Sequence, residues 1–69
     1  MNIIIIKKIH AKILSESTGK PKELASKLNV SERTIYNYIN FMKRELKAPI
    51  VYNRLKDSYQ YEGNCNINF

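Results

Sequence analysis

Residues 20–47 read KPKELASKLNVSERTIYNYINFMKRELK, and this stretch decides the fold. Pro21 suits the first position of a helix because its φ is fixed and it has no backbone N–H to satisfy. The apolar residues that follow predict a short helix over residues 21–28. Asn29 tolerates the positive φ that often ends a helix, so we expect a tight turn before a second helix begins.

The second helix is predicted over residues 31–47, with Ser31 as a favourable N-cap. Its apolar residues recur at spacings of three and four and therefore share one face: Ile35, Tyr38, Ile39, Met42 and Leu46. The opposite face is polar and carries Arg33, Asn37, Asn40 and Arg44, flanked by Thr34, Tyr36, Lys43 and Lys47. Such side chains hydrogen-bond base edges and phosphates, so we interpret this helix as a DNA recognition helix.

The segments on either side of this stretch complete the expected fold. A first helix is predicted over residues 3–16, with a core-facing set of Ile6, Ile9, Ile13 and Leu14. Because β-branched residues also favour strands, an extended conformation is the alternative for residues 3–5. Pro49 ends the long helix, and period-two alternation predicts a hairpin over residues 50–62. The expected fold class is mainly α with a small β-hairpin, in one domain spanning residues 1–69.

The residues ELASKLNVSERTIYNYI, followed by LKAPIVYNRLKDSYQY, resemble the winged helix-turn-helix domain of bacterial DeoR-type, biotin-repressor-like and WYL-type transcriptional regulators. The matching positions are Leu24, Ala25, Leu28, Val30, Ser31, Arg33, Thr34, Ile35, Ile39, Ala48, Pro49, Ile50, Tyr52, Tyr59 and Tyr61. The resemblance covers roughly residues 6–61 and implies a three-helix winged helix-turn-helix fold. It places residues 31–47 in the major groove and the hairpin tip, residues 53–58, on the DNA backbone or minor groove.

The resemblance and the helix pattern together identify the candidate DNA-binding residues. In the recognition helix they are Ser31, Glu32, Arg33, Thr34, Tyr36, Asn37, Asn40, Lys43 and Arg44. Lys20 and Lys22 flank the start of the short helix, where backbone N–H groups and the helix dipole favour a phosphate. Arg54 and Lys56 lie at the tip of the wing, for which the alternative is an ordinary solvated loop.

Two positions depart from the pattern of the family that the chain resembles. Asn37 stands where relatives often carry arginine, so we expect it to read adenine through its amide, while Arg33 reaches guanine. Ser58 stands where relatives usually carry glycine, so the turn of the wing is expected to differ. For Tyr36 the alternative to a DNA contact is packing against the neighbouring helix. The loop at residues 15–20 leaves room for one or two residues to pair with the hairpin.

The charge balance favours a polyanionic partner. Twelve Lys and Arg residues against six Asp and Glu give a formal net charge of +6, and each neutralised phosphate releases counterions. A solvated basic surface is the alternative. Cys65 is the sole cysteine, which excludes an intramolecular disulfide and suits a reducing cytoplasm. The apolar run at residues 3–6 is too short to span a bilayer and lacks the form of a cleavable signal.

No motif indicates an enzyme, a metal site or a cofactor. The sequence has no phosphate-binding glycine loop, no Cys/His nucleophile pairing and no zinc-ligand spacing, and we expect His10 to have a packing or half-exposed role. Scattered acids suit surface pairs, such as Glu23 with Lys27 at i, i+4.

The expected partner is double-stranded DNA. We expect a homodimer formed through the first helix, where Ile4 and Ile5 fall partly outside the core stripe, or through the tail, residues 63–69. No membrane contact and no small-molecule effector domain are expected in this chain. The competing hypothesis is a protein-interaction or accessory module that lends DNA affinity to a larger partner, and a weaker one is an excisionase-like or antitoxin-like DNA-bending factor.

Overall fold

A computed structural model describes residues 2–63, which form three helices followed by an antiparallel hairpin. The helices are α1 (Ile3–Leu14), α2 (Pro21–Leu28) and α3 (Glu32–Glu45), and the strands are β1 (Ile50–Asn53) and β2 (Ser58–Tyr61). This order confirms the expected winged helix-turn-helix fold. The predicted tail, residues 63–69, lies outside the described residues from position 64 onward.

The turn between α2 and α3 has the conformation that the sequence predicts. Asn29 adopts the left-handed conformation with φ of 57°, and the N–H of Val30 donates to the carbonyl oxygen of Ala25 at 3.0 Å. Ser31 then caps α3, because its Oγ accepts a hydrogen bond from the N–H of Thr34 at 3.1 Å. The two helices of the motif are therefore joined through two local capping interactions.

Two helices end two residues earlier than expected because charged residues adopt the left-handed conformation. Glu16, with φ of 53°, follows α1, and Lys47, with φ of 52°, follows α3. Neither residue type signals this conformation in sequence, since glycine and asparagine are its usual carriers. Residues 3–5 are helical, and the side chain of Asn2 accepts a hydrogen bond from the N–H of Ile4 at 2.9 Å.

The core lies where α1, α2, α3 and the hairpin meet. Its buried apolar residues are Ile6, Ile9, Ile13, Leu24, Ala25, Ile35, Ile39, Met42, Ala48, Ile50 and Tyr59. Tyr38 and Leu46, expected in the stripe of α3, are partly buried at its edge. Leu14 was expected to face the core, but this prediction is wrong because the residue is 61% exposed. At about 100° per residue it projects well away from the direction of Ile13.

A pair of buried hydroxyl groups joins the loop before α2 to the second strand of the wing. Thr18 and Ser58 are fully buried, and the two oxygens lie 3.1 Å apart. The N–H of Tyr59 donates to Oγ1 of Thr18 at 2.8 Å, and the N–H of Thr18 donates to Oγ of Ser58 at 3.2 Å. Over the described residues the sheet contains β1 and β2 alone, so hydroxyl groups join the loop to the hairpin in place of the expected strand pairing. Asp57, with φ of 49°, provides the special turn conformation immediately before Ser58.

The predicted surface pair between Glu23 and Lys27 is not formed. Lys27 Nζ instead donates to the carbonyl oxygen of Ser17 at 2.9 Å. The Glu23 side chain packs against Gly19, where φ is +70° and an added Cβ would lie 2.9 Å from the carboxylate Oε2. The carbonyl group of Ser17 therefore takes the place of Glu23 as the partner of Lys27.

We expect Thr18→Val to lower the free energy of unfolding by about 1–3 kcal/mol, because it leaves the buried N–H of Tyr59 without its acceptor. Urea unfolding measures the change. The matched control is Ser17→Ala, which removes an exposed hydroxyl from the same loop and should change stability by less than about 0.5 kcal/mol. Equal stability of the Thr18 variant and the wild type would show that this link contributes nothing.

Candidate nucleic-acid interface

The outer face of α3 presents the polar residues that the sequence placed there. The side chains spaced at i, i+4, i+7 and i+11 are exposed: Arg33, Asn37, Asn40 and Arg44. Glu32, Tyr36 and Lys43 are also exposed, and Thr34 is half-buried. Arg44 Nε lies 3.7 Å from a carboxylate oxygen of Glu45, and both side chains remain largely in solvent. This face therefore carries donors and acceptors along the whole length of the helix.

The first turn of α3 is organised by its cap. Besides accepting from the backbone, Ser31 Oγ lies 2.8 Å from Thr34 Oγ1. One hydroxyl donates to the other, so one O–H of the pair is left to donate to another group. Ser31 and Thr34 thus both stabilise the N-terminus of α3, the helix that the sequence predicts to contact DNA.

A cleft joins the start of α2, the first turn of α3 and the wing. It has a volume of about 480 Å³, and its lining residues are Lys20, Pro21, Lys22, Glu32, Tyr36, Tyr52, Arg54 and Tyr59. Three of the predicted cations therefore converge on one depression, in which Arg54 joins Lys20 and Lys22 from a distant part of the sequence. The cleft also borders the polar face of α3, because Glu32 and Tyr36 belong to both. A phosphate or another anion is the chemical group that such a cationic depression accepts.

The sequence did not predict that Tyr52 and Tyr59 line this cleft. The rings of Tyr52 and Tyr59 make an edge-to-face contact with centroids 5.1 Å apart. Burial raises the pKa of Tyr59 to about 12, with the neighbouring Tyr36, Tyr52 and Glu32 contributing. The hydroxyl consequently stays protonated across the physiological range. The period-two pattern placed both tyrosines in the hairpin but did not indicate which helices they would face.

Glu32 is the acidic group within the cleft, and Tyr36 restrains it. The Tyr36 hydroxyl donates to Glu32 Oε1 at 3.3 Å. The pKa of Tyr36 is raised by desolvation, then by the Glu32 charge and this hydrogen bond. Tyr36 is 46% exposed, so part of its side chain is accessible beside the cations and part is covered by the protein.

The two cations of the wing tip have different surroundings. Arg54 lines the cleft, whereas Lys56 Nζ donates to Glu16 Oε2 at 2.7 Å and forms an ion pair with the residue that follows the end of α1. The sequence treated them as equivalent, because only the folded chain brings Glu16 to the wing. Lys56 is therefore partly neutralised, and Arg54 is the wing cation that shares a depression with Lys20 and Lys22.

His10 lies away from this cleft, between α1 and β2. Its Nδ1 is 2.6 Å from the Tyr61 hydroxyl, the two ring centroids are 5.5 Å apart, and burial lowers the pKa of the imidazole. This confirms the expected packing role. Among residues 2–63, no group of three or more His, Cys, Asp or Glu side chains is arranged to hold a metal ion.

Comparison with known families agrees with the fold. A family model described as an HTH domain matches residues 5–57, which is more than half of the chain. The protein therefore belongs to this helix-turn-helix domain family, whose members are typically non-enzymatic and whose fold indicates DNA binding. Neither the curated proteins nor the solved structures gave a match. Over the described part of the chain, no helix has both the length and the apolar character needed to cross a membrane.

The raised pKa of Tyr59 predicts a loss of stability at alkaline pH. In the unfolded chain the phenol ionises near pH 10, whereas in the folded protein it holds its proton to about pH 12. The contribution is therefore fully present below pH 10 and is lost as the pH rises toward 12, by about 1–2 kcal/mol. Urea unfolding across this range measures it. Tyr59→Phe should abolish this component, and an identical alkaline slope in both proteins would contradict the assignment.

Proposed function

We propose that this protein is a sequence-specific double-stranded DNA-binding transcriptional regulator that acts in the cytoplasm, in a single winged domain related to those of DeoR-type, biotin-repressor-like and WYL-type regulators. The observation that carries the proposal is the adjacency of two surfaces. The exposed polar face of α3 continues directly into the cleft that contains Lys20, Lys22 and Arg54. One surface suits base edges, and the other suits the phosphates beside them.

In this proposal α3 lies in the major groove with its N-terminal half nearest the bases. Arg33 donates to guanine, and Asn37 pairs with adenine through its amide, since both side chains are exposed and one turn apart. The hydroxyl of Ser31 or Thr34 that does not donate within the pair donates to a phosphate oxygen or to an acceptor on a base edge. Asn40, Lys43 and Arg44 lie farther along, where a straight helix leaves the groove, and contact the backbone at most.

The cleft acts as the backbone clamp. A phosphate seated between Lys20, Lys22 and Arg54 also faces the N–H groups at the start of α2, where the helix dipole favours negative charge. Glu32 repels a phosphate and instead suits the amino group of a base, so its presence favours specific binding over indiscriminate binding. The hydrogen bond from Tyr36 directs the Glu32 carboxylate along the surface of α3.

A homodimer provides the affinity that one small module lacks. Three large apolar side chains of α1 are exposed, Ile3 and Ile4 at its start and Leu14 at its end. Contact of α1 with a second copy would cover them and place two recognition helices on one duplex. The same exposed side chains favour the second candidate function, an accessory module that docks on a larger protein and lends it DNA affinity.

Selection of random double-stranded DNA at two salt concentrations tests the assignment. We expect an enriched motif, palindromic if the protein is a dimer, and a loss of at least about 30-fold in affinity for it in Arg33→Ala/Asn37→Ala. The matched control is Asn40→Ala, which removes the same kind of side chain farther along the same face and should have a small effect. Unchanged binding by the double variant to every duplex would exclude α3 as the recognition helix.

The wing cations provide a second test. Arg54→Ala should weaken binding and reduce the slope of log K against log salt concentration by about one, as expected for one lost phosphate contact. Lys56→Ala, which removes the same charge two residues away, should have the smaller effect because Lys56 is paired with Glu16. Titration of a labelled duplex at several salt concentrations measures both slopes. A larger effect at Lys56 would show that the clamp has been placed on the wrong side of the wing.

A further inference from the structure

The apex of the wing carries a large apolar side chain that makes almost no contact with the described protein. Leu55 is 98% exposed, whereas the other large apolar residues at the surface of residues 2–63 are 46% to 61% exposed. It stands between Arg54 and Lys56 in an otherwise polar turn. Exposed leucines are common, so exposure alone assigns no role. The geometry around Leu55 is what distinguishes it.

The turn that presents Leu55 is held by side-chain hydrogen bonds. Asn53 Oδ1 accepts from the N–H of Leu55 at 2.9 Å and from the N–H of Lys56 at 3.2 Å. Asn53 Nδ2 also donates to Gln60 Oε1 at 3.3 Å, which ties the turn to the opposite strand. Leu55 therefore projects from a turn that is already ordered. Binding of its side chain by a partner molecule would cost little backbone entropy.

The two sides of the turn are anchored in ways that orient the apex. On one side, Arg54 lines the cleft together with Lys20 and Lys22. On the other side, Lys56 is joined to Glu16 at 2.7 Å. A duplex bound at the cleft by its phosphates thus lies beside the apex, and the next feature of the duplex beyond a backbone strand is the minor groove.

We propose that Leu55 is a wedge that enters the minor groove and partly unstacks one base step, which bends the DNA toward its major groove. This inference rests on the proposed function and adds DNA deformation to it. Apolar side chains that enter the minor groove kink duplexes by about 20–90° in architectural proteins. The neighbouring Arg54 suits this role, because neutralising a phosphate beside the step lowers the cost of bending. Pyrimidine–purine steps such as TA, which unstack most easily, are the preferred sites.

Fluorescence energy transfer across an end-labelled duplex tests the wedge. The probe is an A·T-rich duplex of about 30 base pairs with one central TA step and 2-aminopurine beside it. We expect saturating wild-type protein to raise both the energy transfer and the 2-aminopurine signal. Leu55→Ala should bind with roughly tenfold or smaller loss of affinity, yet lose half or more of both signals at saturation. Leu55→Phe should restore them, since phenylalanine is also an effective wedge.

Two further measurements separate the wedge from the clamp and from protein association. Arg54→Ala should weaken binding but reach the wild-type energy transfer at saturation. Sedimentation should give the same oligomeric state for Leu55→Ala and wild type, because the wedge contacts DNA and not a second copy.

Three results overturn the proposal. Undiminished bending by Leu55→Ala removes the wedge and leaves the DNA-binding function intact. A change in oligomeric state on this substitution assigns Leu55 to a protein interface instead. Failure of the wild type to bind any duplex refutes both the wedge and the function on which it rests.

Discussion

The pair of buried hydroxyls at Thr18 and Ser58 is the interaction on which the candidate interface depends. The hairpin is too small to be stable alone, since a two-stranded ribbon has marginal stability in water. The hydroxyls satisfy backbone groups of both segments and hold β2 against the loop that precedes α2. This connection places Arg54 on the same cleft as Lys20 although the two are 34 positions apart in the chain. Buried polar groups are costly when unpaired, so these hydrogen bonds favour one position of the wing against the helices over a range of positions.

The positive charge of the protein is large, and the fold gives its cations different surroundings. A net charge of +6 attracts polyanions in general, but the geometry divides the wing cations into two kinds. Arg54 opens onto the cleft, and Lys56 is held by Glu16. Glu32 places one negative charge among the positive ones, where it disfavours indiscriminate phosphate binding. In the proposed function, this arrangement lets the surface distinguish among positions on a duplex.

Local chemistry explains why much of the fold could be predicted. Asn29 and Ser31 mark the ends of helices through their own side chains and backbone preferences, and both have the conformations that these preferences indicate. The apolar stripe of α3 follows from helical spacing alone. Where the prediction was wrong, the residues gave misleading or no local signals: Glu16 and Lys47 adopt a conformation typical of other residue types, and Leu14 is apolar but exposed. The exposed polar face of α3 was likewise predictable, because it is the complement of the buried stripe.

By itself, the sequence determined the three helices, the hairpin, the cap at Ser31 and the polar face that begins at Arg33, because each depends on neighbours within one or two helical turns. The tertiary structure alone decided which distant residues share a surface. It brought Tyr52 and Tyr59 into one cleft with the cations, paired Lys56 with Glu16, and left Leu55 at the apex of an ordered turn. These relations depend on how the hairpin packs against the helices, and that packing results from burying side chains contributed by the whole chain, which no local pattern records.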